Sequence, residues 1–302
     1  MMRIVEAFRT RSQTIKNLNN QIDKEGLFPA GHYYSPIPSD AEVRTYLESK
    51  KPPGDELPGI ELHKQHQLHL LNEYAQFYEE LPFPEEKTAE YRYHYLNEWF
   101  SYADAIFLYC FLRKHLPNRI IEVGSGFSSA LMLDTIDGFF PHKPEITCID
   151  PDTRRLDSLM MEDDRAWVRL IGNKIQEIPL ETFTELESGD LLFIDSSHVV
   201  KCGNDLSLLM FEILPHLRPG VFVHFHDVFY PFDYPSIWLR QGRFWNENYF
   251  LRAFLLNNCE WNIYFFNTYV HLFYGDIIKE KMPLCAKNPG GSLYLQHTPN
   301  AK

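Results

Sequence analysis

Residues 119–130 constrain the fold of this 302-residue chain more than any other stretch. Their apolar positions Ile120, Ile121 and Val123 predict a buried strand. Glycines at positions 124 and 126 let the backbone turn sharply and approach a ligand without a Cβ in the way. A helix that begins at Ser128 or Ser129 would point its free N–H groups at that ligand. This strand–turn–helix is typical of the first unit of a doubly wound α/β domain with a nucleotide or nucleoside site.

Further apolar segments continue the alternation of strands and helices along the chain. Strands are predicted at 144–150, 167–171, 190–195 and 221–227, with a helix at 206–214 before the last of them. Such alternation predicts a parallel sheet with right-handed crossovers. After residue 228 the pattern changes to an aromatic loop, a helix at 243–256, and two closing strands at 261–267 and 291–296.

The first 95 residues follow a different pattern and predict a helical cap, with the α/β body at 96–302. Residues 1–25 predict a marginal amphipathic helix, and further helices are predicted at about 40–51 and 62–80. Residues 26–39 are rich in aromatic residues, glycine and proline, and are either a surface loop or a lid over a substrate. The body is expected to begin with an apolar helix at 97–116.

Composition excludes several classes of protein. The net charge of −12 disfavours a nucleic-acid partner bound through its phosphates. Five scattered cysteines without a Cys-x-x-Cys pair argue against structural zinc and against a disulfide framework. No apolar run approaches the roughly 18 residues that span a bilayer. We expect a soluble cytoplasmic protein without a membrane partner, and the sequence carries no signal for an oligomeric state.

The chemistry is expected at the carboxyl ends of the strands, where open α/β sheets bind their ligands. Asp150 ends the second strand, 24 positions after Gly126, which is close to the spacing of roughly 20 for an acid that meets ribose hydroxyls. The other strand ends carry these acids and histidines: Glu122, Asp195, His198, His226 and Asp227.

Taken in order, these motifs resemble the class I S-adenosylmethionine-dependent methyltransferases. Glu122-x-Gly124-x-Gly126 is similar to their first motif, and Asp150 to their ribose-binding acid. Phe193-Ile-Asp-Ser-Ser-His-Val, Pro219-Gly-Val-Phe-Val-His-Phe-His-Asp-Val and Gly31-His-Tyr-Tyr-Ser-Pro-Ile-Pro resemble a largely uncharacterised bacterial subgroup. The closing strands are similar to the antiparallel end of the family's sheet. The resemblance therefore implies a Rossmann-like, seven-stranded, mostly parallel sheet with an antiparallel last strand.

The resemblance also implies roles for single residues. Asp150 would bind the ribose of S-adenosylmethionine, Gln176 would lie near the adenine, and Asp195 would face the sulfonium or the substrate. The methionine end of the cofactor would be framed by the first motif: Glu122, Gly124, Ser125 and Gly126.

Three interpretations of the acids and histidines after strands four and five stay open. His198 or His226, held by Asp195 or Asp227, acts as a general base that removes a proton from the methyl acceptor. Alternatively Asp195, His226 and Asp227 bind a divalent metal ion, and a histidine ligand would favour Mn²⁺, Zn²⁺ or Fe²⁺ over Mg²⁺. In the third interpretation these side chains only satisfy one another. Strand alternation places His224 and His226 on one face and Asp227 on the other, unless the strand ends at His226.

The function that the sequence favours is methyl transfer to oxygen or nitrogen of a small molecule, a sugar or a peptide. An NAD-dependent oxidoreductase is the second hypothesis, disfavoured by the absence of a third glycine, where Phe127 and Ser128 stand, and by the closing strand pair. The third is a catalytically silent cofactor-binding scaffold. The acids and histidines at the strand ends argue against it.

Overall fold

The computed structural model describes residues 27–298, so the helix predicted within residues 1–25 lies outside the described residues. The chain divides into two compact units. The smaller unit contains residues 27–52 and Pro235–Phe244, and the larger contains Pro53–Tyr234 and residues 245–298. Residues 53–95 thus share a unit with the sheet, and the boundary near residue 95 stays a prediction.

The larger unit is built on a seven-stranded sheet of order β3-β2-β1-β4-β5-β7-β6. Neighbouring strands run parallel from β3 to β5, whereas β7 is antiparallel to both β5 and β6. This topology confirms the fold class that the resemblance implied. The strands are β1 (Arg119–Val123), β2 (Glu145–Ile149), β3 (Val168–Ile171), β4 (Leu191–Ile194), β5 (Phe222–His226), β6 (Trp261–Phe266) and β7 (Ser292–His297).

Helices connect the strands of the larger unit, and two further helices belong to the smaller unit. In chain order the α-helices of the described residues are α1 (Asp40–Ser49), α2 (Lys64–Tyr78), α3 (Ala103–His115), α4 (Phe127–Phe139), α5 (Arg154–Asp157), α6 (Glu181–Thr184), α7 (Asp205–Leu208), α8 (Ser236–Arg240), α9 (Glu247–Leu255) and α10 (Asn267–Lys281). Short 3₁₀ segments lie at Glu162–Ala166, Ile175–Glu177, Leu214–His216 and Pro283–Lys287, and a π-helical turn lies at Leu209–Ile213. None of the described helices is long and apolar enough to cross a membrane.

The smaller unit pairs α1 with α8. Helix α1 begins where the sequence provides a capping box: Ser39 Oγ accepts a hydrogen bond from the backbone of Glu42, whose carboxylate accepts one from Ser39 N. Tyr33 and Tyr34 are 91% and 68% exposed. Their predicted role as a lid stays a prediction.

Helix α3 begins six residues later than predicted, and the reason is a side-chain hydrogen bond. The amide oxygen of Asn97 accepts hydrogen bonds from the backbone N–H groups of Trp99 and Phe100. Asparagine favours such local turns over helix, so Trp99 lies in a turn ahead of the helix. From Ala103 to Leu112 every residue of α3 is buried, and the helix packs against α4.

Two features of the carboxy-terminal part differ from the prediction. Helix α10, kinked at Tyr274, fills the connection between β6 and β7 and was not predicted. Its sequence contains β-branched and aromatic residues and Gly275, which are weak helix formers. Helix α9 begins at Glu247, later than the predicted residue 243.

Candidate active site

The chain turns sharply at Gly124 after β1, as the sequence predicts. Gly124 has a φ of +82°, and its N–H donates a hydrogen bond of 2.9 Å to the carbonyl of Ile149 in β2. A Cβ on this residue would lie 2.1 Å from the carbonyl oxygen of Asp195. Because that neighbour is backbone, it cannot move aside. Glycine is required here both for conformation and for space.

Glu122 does not line the cavity beside this turn, although the resemblance assigns it to the cofactor. It is fully buried. Its carboxylate accepts hydrogen bonds from Ser128 Oγ at 2.6 Å, from Ser129 Oγ, and from Cys148 Sγ at 3.3 Å. Burial raises the pKa of Glu122 to about 7, against the effect of these hydrogen bonds. In this arrangement Glu122 fixes the first turn of α4 from inside the protein.

Asp150 lies at the end of β2 and holds the other side of the turn. Its Oδ2 accepts a hydrogen bond from Ser125 N at 2.9 Å, and its Oδ1 accepts one from Asp152 N at 2.8 Å. An ionised carboxylate has about four acceptor sites, so Asp150 can still accept hydrogen bonds from hydroxyl groups.

A cavity of about 430 Å³ joins several of the predicted cofactor residues. Gly124, Asp150, Gln176 and Asp195 all line it, and Gln176 is held by a hydrogen bond from its amide nitrogen to the carbonyl of Gly203 at 3.1 Å. The size is within the range of small-molecule sites. A glycine turn, an acid with free acceptor capacity and a polar far wall fit the nucleoside cofactor that the resemblance implies.

His198 is fixed by a segment that is distant in sequence. Its Nδ1 lies 2.7 Å from Oε2 of Glu247, which is 1% exposed. Its carbonyl accepts hydrogen bonds of 3.2 Å from the backbone N–H groups of Asn246 and Glu247, and its ring lies 4.4 Å from that of Trp245. The φ of His198 is +60°, a conformation that residues other than glycine rarely adopt. Four contacts from residues 245–247 thus hold a strained histidine in place.

The other nitrogen of His198 faces two carboxylates. Its Nε2 lies 3.4 Å from Oδ1 of Asp195 and 3.5 Å from Oδ2 of Asp227. Burial opposes a charge on the imidazole, but Asp195 and Glu247 raise the pKa of His198 to about 10. Burial alone would raise the pKa of Asp195, yet the charges of His226 and His198 lower it well below its usual value. At neutral pH this cluster therefore contains an imidazolium between carboxylates.

His226 completes the cluster at the end of β5. Its Nδ1 lies 3.5 Å from Asp195 Oδ1 and 3.8 Å from Asp227 Oδ1, and its Nε2 lies 3.6 Å from Asp104 Oδ2. Burial disfavours its charge, but Asp227, Asp195 and Asp104 raise the pKa of His226 well above the usual value. Burial also raises the pKa of Asp227. The strand ends at His226, and a φ of +59° turns Asp227 back toward the histidines, so strand alternation does not separate them.

His224 lies on the same side of β5 as His226, with their ring centroids 6.3 Å apart, but its environment is apolar. Its ring stacks on Phe193 at 4.0 Å, and burial lowers its pKa well below the usual value. It is therefore a neutral core residue. Within residues 27–298, no group of three or more histidine, cysteine and acidic side chains is arranged so that it could hold a metal ion. The metal site at Asp195, His226 and Asp227 stays a prediction.

Sequence reasoning missed Glu247 and Asp104. Glu247 follows Asn246 at the start of a helix, where an acid usually caps a helix at the surface, so nothing indicated its burial. Asp104 stood out more: it is the acid inside the apolar run of α3. It is 4% exposed, and it accepts hydrogen bonds from Gly291 N, Ser292 Oγ and Asn267 Nδ2. An acid within an otherwise buried helix is a usable signal, because it must find partners.

Comparison with known proteins adds the following matches. Residues 121–228 match a protein family described as "Methyltransferase domain". An uncharacterised protein of Archaeoglobus fulgidus is 34% identical over 193 residues, which cover 60% of this chain and 86% of that protein.

Two solved structures resemble the chain more weakly. The O-methyltransferase TomG from Streptomyces achromogenes in complex with SAM is 17% identical, covers 85% of this chain and 96% of its own, and has a TM-score of 0.40. The SAH-bound methyltransferase PaMTH1 from Podospora anserina is 13% identical, covers 87% and 98%, and has a TM-score of 0.42. Both scores lie below 0.5, so neither structure bears on the fold or the chemistry of this chain.

Proposed function

Since the chain belongs to the class I S-adenosylmethionine-dependent methyltransferases, we propose that it methylates an oxygen or a nitrogen of a small molecule, a sugar or a peptide. In this proposal His198 is the general base that removes the proton from the acceptor. Asp150 holds the ribose, and Gly124, Ser125 and Gly126 approach the methionine end. The methyl donor supplies its own leaving group, so the protein has to align the reactants, exclude water and accept a proton.

The observation that carries the choice of base is the hydrogen bond between His198 Nδ1 and Glu247. Because Nδ1 is occupied at 2.7 Å, Nε2 is the nitrogen directed at Asp195, and Asp195 lines the cavity. A base oriented by a carboxylate on its far nitrogen is a recurring arrangement for proton removal. His226 is less suited, because no carboxylate holds its ring as closely: its Nδ1 lies 3.5 Å from Asp195 Oδ1 and its Nε2 lies 3.6 Å from Asp104 Oδ2.

The raised pKa of His198 has to fall before this residue can accept a proton. The carboxylate of Asp195 is among the groups that hold the proton on His198. His198 loses that proton more readily once positive charge is bound beside Asp195, since part of the negative field is then cancelled. The sulfonium of the methyl donor carries such a charge. His198 would therefore become a competent base only in the loaded site.

A thermal-shift panel tests the cofactor. We expect S-adenosylmethionine and S-adenosylhomocysteine to raise the melting temperature in a concentration-dependent manner, because a ligand that binds only the folded state stabilises it. NADH should leave it unchanged. Each ligand is measured in EDTA and with Mg²⁺, Mn²⁺ or Zn²⁺. A shift by NADH alone would replace the proposal by the oxidoreductase, and a cofactor shift that needs Mn²⁺ or Zn²⁺ would favour the metal alternative at Asp195, His226 and Asp227.

Asp150→Asn provides the matched variant for this panel. It keeps the shape of the side chain but removes its charge and one acceptor atom, so the affinity for S-adenosylhomocysteine should fall by about tenfold. Glu145→Gln changes an exposed acid at the opposite end of β2 and should bind as the wild type does. Equal affinities of the two variants would remove Asp150 from the ribose site.

A further inference from the structure

A second cavity, of about 500 Å³, shares Asp150 with the first cavity. It is lined by Ser125 of the glycine turn and by two neighbouring cations that follow β2, Arg154 and Arg155, together with Asp150 and Asp152. A cavity with two arginines beside a cofactor turn can attract an anionic group. The two arginines differ in what already engages them.

Arg154 is engaged by its own segment. Its Nε donates a hydrogen bond of 2.7 Å to Asp152 Oδ1, and its other guanidinium nitrogen pairs with the second carboxylate oxygen. Arg155, in contrast, forms no ion pair with any residue in the described range 27–298. The charge of Arg155 is therefore available for a ligand, whereas that of Arg154 is largely compensated.

Arg155 is nevertheless held in one place. Its guanidinium carbon lies 3.9 Å from the centroid of the Trp99 ring, a cation–π distance. Its methylene groups cross the glycine turn so closely that a Cβ on Gly126 would lie 2.7 Å from Arg155 Cδ. Trp99 is itself 56% exposed, and its backbone N–H donates a hydrogen bond of 3.0 Å to Asn97 Oδ1. An exposed tryptophan thus positions an arginine that forms no ion pair with the described residues directly over the turn.

We propose that Arg155, positioned by Trp99, binds the carboxylate of the amino-acid end of the cofactor. The inference rests on the proposed function, in which this end approaches Gly124, Ser125 and Gly126. A guanidinium binds a carboxylate through two parallel hydrogen bonds, and stacking on an aromatic ring leaves its edge free for them. The Gly126 position, without a side chain, lets Arg155 reach across the turn to that edge.

Isothermal titration with two ligands tests the assignment. S-Adenosylhomocysteine carries the amino-acid end, and 5′-deoxy-5′-methylthioadenosine shares its adenosine and sulfur but lacks that end. Arg155→Ala should weaken S-adenosylhomocysteine by about tenfold and leave methylthioadenosine unchanged, since only the first ligand offers a carboxylate. Arg165→Ala, which removes an exposed arginine outside the cavity lining, is the matched control and should bind both ligands as the wild type does.

Trp99→Leu should weaken S-adenosylhomocysteine by a smaller factor, about threefold, because the guanidinium keeps its charge but loses its platform. The inference is overturned if Arg155→Ala leaves the affinity ratio of the two ligands unchanged, whether both weaken equally or neither does. It is also overturned if Arg154→Ala has the larger effect. If the wild type binds neither ligand, the proposed function fails instead, so the two failures are distinct.

Discussion

The two halves of the site are built by different means. The glycine side, after β1 and β2, consists of Glu122, Gly124, Ser125 and Asp150, and its hydrogen bonds join residues less than 30 positions apart. The histidine side, after β4 and β5, joins His198 and His226 to Glu247 and Asp104, which are 49 positions or more away. One half follows from a local motif, and the other half exists only once the chain has folded.

The halves also handle strain and charge differently. At the glycine side the left-handed backbone falls on a glycine, which tolerates it. At the histidine side it falls on His198 and Asp227, where it costs about 1 kcal/mol or more for each residue. Charges on the histidine side are paired with opposite charges, whereas Glu122 is buried with hydroxyl and thiol partners only. The glycine side therefore depends on shape, and the histidine side on charge pairing.

The largest effect is expected from a substitution that introduces a steric clash on the glycine side without changing any charge. Gly124→Ala adds a Cβ 2.1 Å from the carbonyl oxygen of Asp195 at a φ of +82°. We expect a loss of about 3–5 kcal/mol in the free energy of unfolding, because backbone must move to make room. Urea unfolding measures the loss, and binding of S-adenosylhomocysteine should weaken with it.

Gly138→Ala is the matched control for that change. Gly138 lies in α4, and a Cβ there would meet no atom within 4 Å. Alanine is the better helix former, so this variant should gain about 0.5–1 kcal/mol. If the two substitutions changed the free energy of unfolding by the same amount, the close approach of Gly124 to Asp195 would not constrain the turn.

The next largest effect is expected from a substitution that removes a charge from the histidine side. Glu247→Ala leaves the buried imidazolium of His198 without the partner on its Nδ1, and we expect a loss of about 3 kcal/mol in the free energy of unfolding. Glu247→Gln keeps the volume and should cost less. In both variants the pKa of His198, about 10 in the wild type, should fall, since a negative charge is removed. Urea unfolding and NMR titration of the histidines in EDTA measure the two quantities.

Glu280→Gln, an exposed acid of α10, controls for the change in net charge and should alter neither quantity. An unchanged pKa of His198 in Glu247→Gln would mean that the carboxylate of Glu247 does not raise the pKa of His198. Equal stability of Glu247→Ala and wild type would show that the pair contributes nothing to folding.

The sequence predicts the sheet and the sharp turn at Gly124 for the same physical reason. Buried parallel strands are short apolar runs bounded by glycine or an acid, so the predicted strand at 190–195 contains the observed Leu191–Ile194. The spacing of the sequence predicts the positions of Gly124 and Asp150, because their hydrogen-bond partners lie nearby in the chain. The position of His198 after a strand makes it a candidate site residue. Its orientation could not be predicted, because that orientation is set by Glu247, which is 49 positions away in the chain. The late start of α3 depends on one hydrogen-bonding asparagine, and α10 contains weak helix formers that only tertiary packing makes helical.

The smallest of the expected substitution effects concerns Glu122, the buried acid of the glycine side. Its pKa is about 7 in the folded protein, raised by burial above the usual 4.5. The folded state therefore binds more protons than the unfolded state between about pH 4.5 and 7, so stability falls as the pH rises through this window. Glu122→Gln cannot ionise and should gain about 2 kcal/mol relative to wild type between pH 5 and pH 8. Urea unfolding at both pH values measures the gain, and Glu145→Gln is the control for net charge. If the difference between Glu122→Gln and wild type did not change with pH, the pKa of Glu122 would not be raised, and a positive charge would have to compensate its carboxylate as on the histidine side.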